Sequence, residues 1–574
     1  MLVYREDGRP AETEAIWRQL RRVAAHLGAA SAVDATQSLL IDAGEFEAAA
    51  VDGLSPGRDE WGRAAEALRR VTEAAADAWL DAASAVSGGV SAKPLLHALD
   101  AVPLDALPSR LSLRVPEGYA YYGLFPWTYS LSARAWLDAA RPRTAVCIGL
   151  RSIGTSLSAA VATTLRREGC DVWTCTVRPR GHPFDRRLSL GEGLRAIWRE
   201  RAAAGARFAI VDEGPGISGS SFAAAIEAVA DVGVPADRIV LFPAWDPDPS
   251  QLSCDRARRL WRSHRRYWTD AARAGVTPER IFGVNAAVDW SAGRWRAHSL
   301  GDERQWPAAH PRHERWKVFA PDVRAVIKFV GLGRYGERAQ ERAAHLHACG
   351  LGPAPDALRS GFLATAWVDG HPLERGSLDA GRAAIIGRYI GRVAAMFPAE
   401  RQAGISTLRH MIDVNAREAF GGEAAATLAH RHTSPAFLED APAAALDARM
   451  LPHEWLATDG GLMKVDALEH HADHFFPGVQ DAAWDLAACL EEFDAPGTVF
   501  EAMIDACVRA SGDAGIRARL PFFRAAYTAF RLGYATQALA DLAGTAEARR
   551  FTHVRTRARA GLAAALHLTS PSVP

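Results

Sequence analysis

An α/β unit followed by an α+β unit is the fold class that this sequence predicts, and three observations predict it. Between residues 112 and 250, short apolar runs alternate with amphipathic stretches of helical period, the mark of a parallel sheet. From about residue 310, two strand-like runs precede a helix and a long helical remainder, which predicts an antiparallel sheet joined to a helical lobe. The first 111 residues show helical periodicity alone, with residues 12–27 and 60–86 placing apolar side chains at i, i+3 and i+4. At 574 residues the chain can form roughly two to four domains, each with its own core. The expected division is a helical region 1–111, a parallel-sheet domain 112–250, a basic and aromatic connector 251–309 and a bilobal domain 310–574.

Composition narrows the class. Lys plus Arg and Asp plus Glu both total 67, so no global field draws in nucleic acid or a membrane surface. Seven cysteines (147, 170, 175, 254, 349, 489 and 507) are scattered without a C-x-x-C pair, which argues against a disulfide framework or a zinc site and for a reducing compartment. The first ten residues lack a basic-then-apolar signal region, and no apolar run reaches the ~18 residues of a spanning helix. A cytoplasmic protein is expected, and the Ala, Arg and Gly usage points to a GC-rich bacterial genome.

The parallel-sheet domain carries the chemistry. The strand 144-TAVCIGL runs into 151-RSIGTSLSAAVATTLRREG, and the strand 171-DVWTCTVRP into a basic segment, 178-RPRGHPFDRRLSLG. A third strand, in 207-RFAIVDEGPGISGSSFAAAIEAV, ends in Asp212 and Glu213 and passes through a Gly/Pro/Ser loop into a helix, and 238-RIVLFPAW closes the set. Strand, Gly-rich turn and helix start form an anion site, because unpaired N–H groups and the positive dipole end converge there. The hydroxyls of Ser218, Ser220 and Ser221 add donors, and Mg2+ or a ribose would satisfy the paired acids.

On these residues the segment 112–250 resembles the type I phosphoribosyltransferase family. The resemblance implies a glycosyltransferase that binds Mg-PRPP (5-phosphoribosyl 1-pyrophosphate) or a relative and exchanges its C1 substituent. Asp212 and Glu213 would hold the ribose hydroxyls or the metal, and Gly216, Ile217, Ser218, Gly219, Ser220 and Ser221 the 5-phosphate. Arg151, Ser152, Gly154, Thr155 and Ser156 would meet pyrophosphate, with Arg178, Arg180 and His182 in a loop that closes over the site. Residues 214–217 make the loop one residue longer than the family's, which reshapes the cradle. An oxocarbenium-like transition state needs positioning and electrostatics, not a nucleophile. The rival reading is a regulatory protein that keeps the fold without turnover.

Residues 251–300 are rich in Arg and Trp (257-ARRLWRSHRRYW), which fits nucleic-acid stacking or a helix that packs its Trp side chains inward. The second sense makes this stretch a connector.

In the C-terminal half, 312-RHERWKVFA and 323-VRAVIKFVGL predict an antiparallel pair, followed by a helix and the strand 361-GFLATAWVDGHPL. The intervening 331-GLGRYG is a weak dinucleotide fingerprint, since no acid ends a second strand ~20 residues on. The order of parts resembles aminoglycoside phosphotransferase-like kinases. That likeness implies ATP or GTP, with Lys328 on the phosphates and paired to Glu341 or Glu337, Asp466 as the metal ligand, and Asp485 bracing a catalytic loop. The late 522-FFRAAYTAFRLGYATQAL matches its closing helix. The family's His-Gly-Asp is absent; in its place stands 446-LDARMLPHEWLA, where Asp447 is the candidate base and His453 or Glu454 the substitute metal ligand. His470, His471, Asp473 and His474 read either as a metal cluster or as helix-end residues. No motif names the acceptor, and a homodimer is compatible with the sequence.

Overall fold

The computed structural model describes the chain apart from residues 4–7, 29–32, 85–89, 400–403, 422–437, 439, 474, 477 and 569–574. The N-terminal region holds the helices Thr13–Ala25, Val33–Leu54, Arg63–Ala83 and Lys93–Asp100. A short antiparallel ladder of β1 (Arg9–Glu12) and β2 (Arg110–Leu113) ties its two ends together, with Arg9 opposite Leu113. Leu40, Phe46, Leu68 and Trp79 form one core with Ala159 and Ala160 of the Gly154–Arg167 helix. The helical region is therefore fused to the sheet domain by burial of its apolar faces.

Five parallel strands follow: β3 (Thr144–Leu150), β4 (Asp171–Val177), β5 (Arg207–Val211), β6 (Ile239–Phe242) and β7 (Arg265–Arg266), in the spatial order β4-β3-β5-β6-β7. Their interiors are near-continuous apolar runs because helices cover both faces, so no solvated face demands alternation. The chain leaves β3 toward β4 on one side and returns to β5 on the other, which makes the β3/β5 boundary a topological switch point. The sheet extends beyond residue 250, since β7 lies within the stretch read as a connector.

The second sheet is antiparallel: β8 (Val288–Asp289), β9 (Lys317–Ala320), β10 (Ala325–Phe329), β11 (Pro355–Arg359) and β12 (Phe362–Ala366), ordered β11-β12-β10-β9-β8. The predicted pair is β9 with β10, in register Lys328↔Lys317, and the Arg334–Ala348 helix lies between β10 and β11. A helical lobe follows, in which Ala380–Met396 packs on Gly497–Ser511 so closely that a Cβ on Gly387 would fall 2.0 Å from the Met503 carbonyl oxygen. The two halves share a core: Phe125 and Tyr129 cluster with Val318, Phe329 and Phe362. Among the described residues, no helix is long and apolar enough to cross a membrane.

Candidate functional site

A cleft of about 2520 Å3 opens at the β3/β5 switch point, walled by the carboxyl ends of these strands and by the Arg334–Ala348 helix of the other half. Asp212, Glu213, Gly216, Ile217, Ser218 and Ser221 line it, as do Ser152 and Arg178. Ligands of open α/β sheets collect at such a place, outside the carboxyl ends of the strands.

Burial pushes the Asp212 carboxyl up to about 6; the amides of Glu213 and Gly214 and the charges of Arg178 and Arg186 oppose that shift. One Glu213 oxygen accepts the amide of Gly118 at 3.1 Å, and the Tyr129 hydroxyl donates to the Asp212 carbonyl at 2.8 Å. Gly216 and Gly219 adopt positive φ (59° and 68°), which turns the backbone into the Ser220–Ala230 helix. Ser152 holds φ 126°, a strained value for a residue with a Cβ, in the turn after β3. A Cβ on Gly154 would lie 2.7 Å from the Val211 carbonyl oxygen and 3.3 Å from Asp212 Oδ1, so this glycine lets the turn approach the acid strand.

The basic segment folds over the cradle: the Ser218 and Ser220 hydroxyls both donate to the Pro183 carbonyl, at 2.8 and 2.6 Å. The arginines themselves are placed otherwise than expected. Arg151 is fully buried, donating to Asp52 at 2.8 Å and pairing with Asp59. Arg178 pairs with Asp52, and Arg180 with Asp59 at 3.1 Å. Burial raises Asp52, but Arg178 and Arg151 outweigh it and hold its carboxyl below the usual range. Asp59 also accepts the Arg178 amide, while its own backbone bonds Ser189 and Gly191, so the ends of the loop are stapled to the helical region. Thr155 and Ser156 are buried beneath the Val33–Leu54 helix, where the Ser156 and Tyr119 hydroxyls lie 2.9 Å apart. The sequence could not anticipate Asp52 and Asp59, which stand in a region without any motif.

The C-terminal half builds a second cluster. Lys328 on β10 pairs with Asp466 and Glu469, not with Glu341, which is solvent-exposed. Glu337 is exposed as well, and the inward position of that helix belongs to Arg342, which donates to the carbonyls of Ala467, Ala445 and Leu446 at 2.8–2.9 Å. Five cations (Lys317, Lys328, Lys464, Arg315, Arg449) interleave with five carboxylates (Glu314, Asp447, Glu454, Asp466, Glu469). Despite burial, Lys328 and its cationic neighbours hold Asp466 far below the usual carboxylate range. Asp466 and Ala448 have φ of 60° and 70°, so both turns of the cluster are strained.

Asp485 braces the 446–448 turn, accepting the amides of Asp447 at 3.2 Å and Ala448 at 3.0 Å. Asp447 itself is fully buried, accepting from Tyr389 at 2.7 Å and pairing with Lys464 at 3.2 Å, which keeps its carboxyl near about 2 against the effect of burial. A neighbouring cavity of about 610 Å3 is lined instead by Arg449, which pairs with Glu454 at 2.8 Å. His453 stacks on Trp295 with centroids 5.0 Å apart. The candidate metal-binding group among the described residues is Asp466, Glu469 and His470; His474 lies outside them. Lys328 stands between the Asp466 and Glu469 carboxylates, so the residues present do not fit a metal ion in this arrangement.

No family model matches this chain, and no curated protein does. Solved structures are similar to this chain over about half of its length, at low identity. A choline/ethanolamine kinase family protein from Mesorhizobium loti is 16% identical, covering 51% of this chain and 97% of its own, with a TM-score of 0.32. A macrolide 2'-phosphotransferase from Brachybacterium faecium is 18% identical, covering 49% and 98%, with a TM-score of 0.28. A choline kinase from Streptococcus pneumoniae is 12% identical, covering 47% and 96%, with a TM-score of 0.30.

Proposed function

We propose that the β3/β5 cleft binds Mg-PRPP or a related 5-phosphoribosyl compound and exchanges its C1 substituent. The observation that carries this reading is the placement of Asp212 and Glu213 at a topological switch point, directly before a positive-φ glycine turn and a helix start. The residues suit a bound Mg2+: Asp212 is half-buried at the cleft, its carboxyl pushed up to about 6 by loss of water, and it forms no ion pair among the described residues, so a cation there would relieve its cost. Asp212 and Glu213 would hold this ion, which supplies charge neutralisation when bound, or the ribose hydroxyls. Ser218, Ser221 and the amides of 216–220 would orient the 5-phosphate. The 178–190 loop, already against the cradle through Pro183, would exclude water.

A specific observation favours a second reading, binding without turnover. The three arginines expected to neutralise a departing pyrophosphate are occupied by Asp52 and Asp59. For the C-terminal half we propose nucleotide binding through Lys328 and Lys317 without phosphoryl transfer, because Arg449 faces the cavity and cannot accept a proton. Asp466, expected from the sequence as the metal ligand of this nucleotide site, is engaged by Lys328. Pyrophosphate release from Mg-PRPP with a panel of bases is the deciding experiment: turnover supports the enzyme, calorimetric binding without release the second reading, and neither result would leave the cleft unassigned.

A further inference from the structure

One short turn touches both candidate sites. Residues Glu117–Ala120 form a single helical turn, and each residue from Gly118 to Tyr121 is bonded outward from it. The Gly118 amide donates to the Glu213 carboxylate at 3.1 Å, on the side of the acid pair. The next three residues are held by the C-terminal half. The Tyr119 carbonyl accepts the Leu332 amide at 2.9 Å, just beyond β10 and its Lys328. The Ala120 carbonyl accepts from Arg315 at 2.6 Å, and the same guanidinium lies over the Tyr121 ring, 5.0 Å from its centroid. The Tyr121 hydroxyl donates to the carbonyl of Ala472, shortly after the segment that bears Asp466 and Glu469.

Arg315 makes this turn sensitive to charge. It pairs with Glu469 at 3.2 Å, and Glu469 pairs in turn with Lys328. Neither Glu469 oxygen has a hydrogen bond among the described residues, so the charges of Lys328 and Arg315 set where this buried carboxylate sits. A phosphate taken up by Lys328 would compete with Glu469 for the ammonium and repel it. A buried carboxylate must keep a counter-charge, so Glu469 would then draw on Arg315 alone. Arg315 can follow Glu469 only by loosening its bond to the Ala120 carbonyl, and the turn then loses the support that presents the Gly118 amide to Glu213. An amide donor both positions a carboxylate and favours its ionised form, which is the form that binds a cation.

We propose that a nucleotide bound at Lys328 weakens the hold of the switch-point cleft on its phosphoribosyl ligand, with Arg315 and the 118–121 turn as the link. The inference rests on the two sites proposed above and adds their regulation. Such coupling is reciprocal, so the phosphoribosyl ligand weakens the nucleotide by the same factor.

The test uses the full chain with Mg2+, PRPP and adenylyl imidodiphosphate, an ATP analogue that resists transfer of its last phosphate. Calorimetry gives the affinity for each ligand alone and with the other present, and hydrogen exchange follows residues 118–121 with the nucleotide alone. Saturating nucleotide should weaken Mg-PRPP at least about fivefold, PRPP should weaken the nucleotide equally, and the 118–121 amides should exchange faster once nucleotide is bound. Arg315→Met and Tyr121→Phe should each bind both ligands singly and bring the factor close to one. The phenylalanine variant loses a single hydroxyl, so it decides the matter if the methionine variant does not fold. Independent binding in the wild type, or no nucleotide binding at millimolar concentration, overturns the proposal. Antagonism undiminished in the folded variants also overturns it, because the two ligands would then exclude each other directly in a cleft that Glu213, Arg315 and Glu469 all line. Faster exchange at 118–121 without any PRPP binding would support the link and overturn the proposed ligand of the cleft. PRPP binding with no response of the turn to nucleotide would overturn the link and leave the proposed function standing.

Discussion

Arg151 donates to Asp52 at 2.8 Å across 99 residues of chain, so a helix of the N-terminal region satisfies the guanidinium that the strand end presents. Asp59, fully buried, completes the pair. Removing one partner of a buried ion pair costs about 3–5 kcal/mol, because the other charge stays buried alone. Asp59→Ala should therefore lower the urea midpoint strongly, and Asp52→Ala less, since Asp52 is 27% exposed. Equal, small shifts would show that the helical region does not hold the loop.

Asp212→Asn with Glu213→Gln should abolish Mg-dependent PRPP binding while leaving the fold intact. The two carboxylates line the cleft and contribute little apolar contact. Calorimetry decides the matter; an unchanged affinity in the double variant removes the acid pair from the site.

The same site should respond to pH. The folded Asp212 carboxyl, at about 6, lies above its ordinary value of 3.8. The native state thus binds the extra proton between these values, and stability contributed by this group falls as pH rises through that window. Cation binding requires the ionised form. Affinity for Mg-PRPP should accordingly climb up to pH of about 6 and then level; a flat profile from about pH 5 to 7.5 would show that Asp212 does not titrate in the binding step.

Ser218→Ala and Gly219→Val should differ in effect. The serine change removes one donor, about 0.5–1.5 kcal/mol, and with it the bond to Pro183. Gly219 sits at φ 68°, and a Cβ there would lie 2.9 Å from the Ala257 Cβ. Left-handed backbone costs a side-chain-bearing residue roughly 1–2 kcal/mol before any clash. Titration with ribose 5-phosphate and thermal unfolding should rank the valine variant well below the alanine one; equal losses would mean that the turn does not approach phosphate.

In the C-terminal half, Lys328→Ala should weaken ATP or GTP binding, and Asp466→Ala should also change it, because each is the other's ion-pair partner. No acceptor phosphorylation should be detectable, with Arg449 at the cavity and Asp447 buried against Lys464 and Tyr389. Rapid transfer, lost on Asp447→Asn, would falsify this assignment.

What the sequence determined by itself is local. The strand, the acid pair, the glycine turn and the helix start at 207–221 are contiguous, so their chemistry and order could be read from about fifteen residues; the β9–β10 pair was legible from its strand periodicity, and the brace from Asp485 only through the family resemblance. What only the tertiary structure decided is which charge meets which. Asp52 and Asp59 reach Arg151 from 99 and 92 residues away, and nothing in their own surroundings marks them as partners. On the Arg334–Ala348 helix a rotation of one residue sets Arg342, not Glu341, against the carbonyls of Ala445, Leu446 and Ala467, and that rotation is fixed by how the helix docks. Burial makes these choices binding: an ion pair out of water must be satisfied by whatever the packing brings within a few ångströms, and packing is a property of the whole fold.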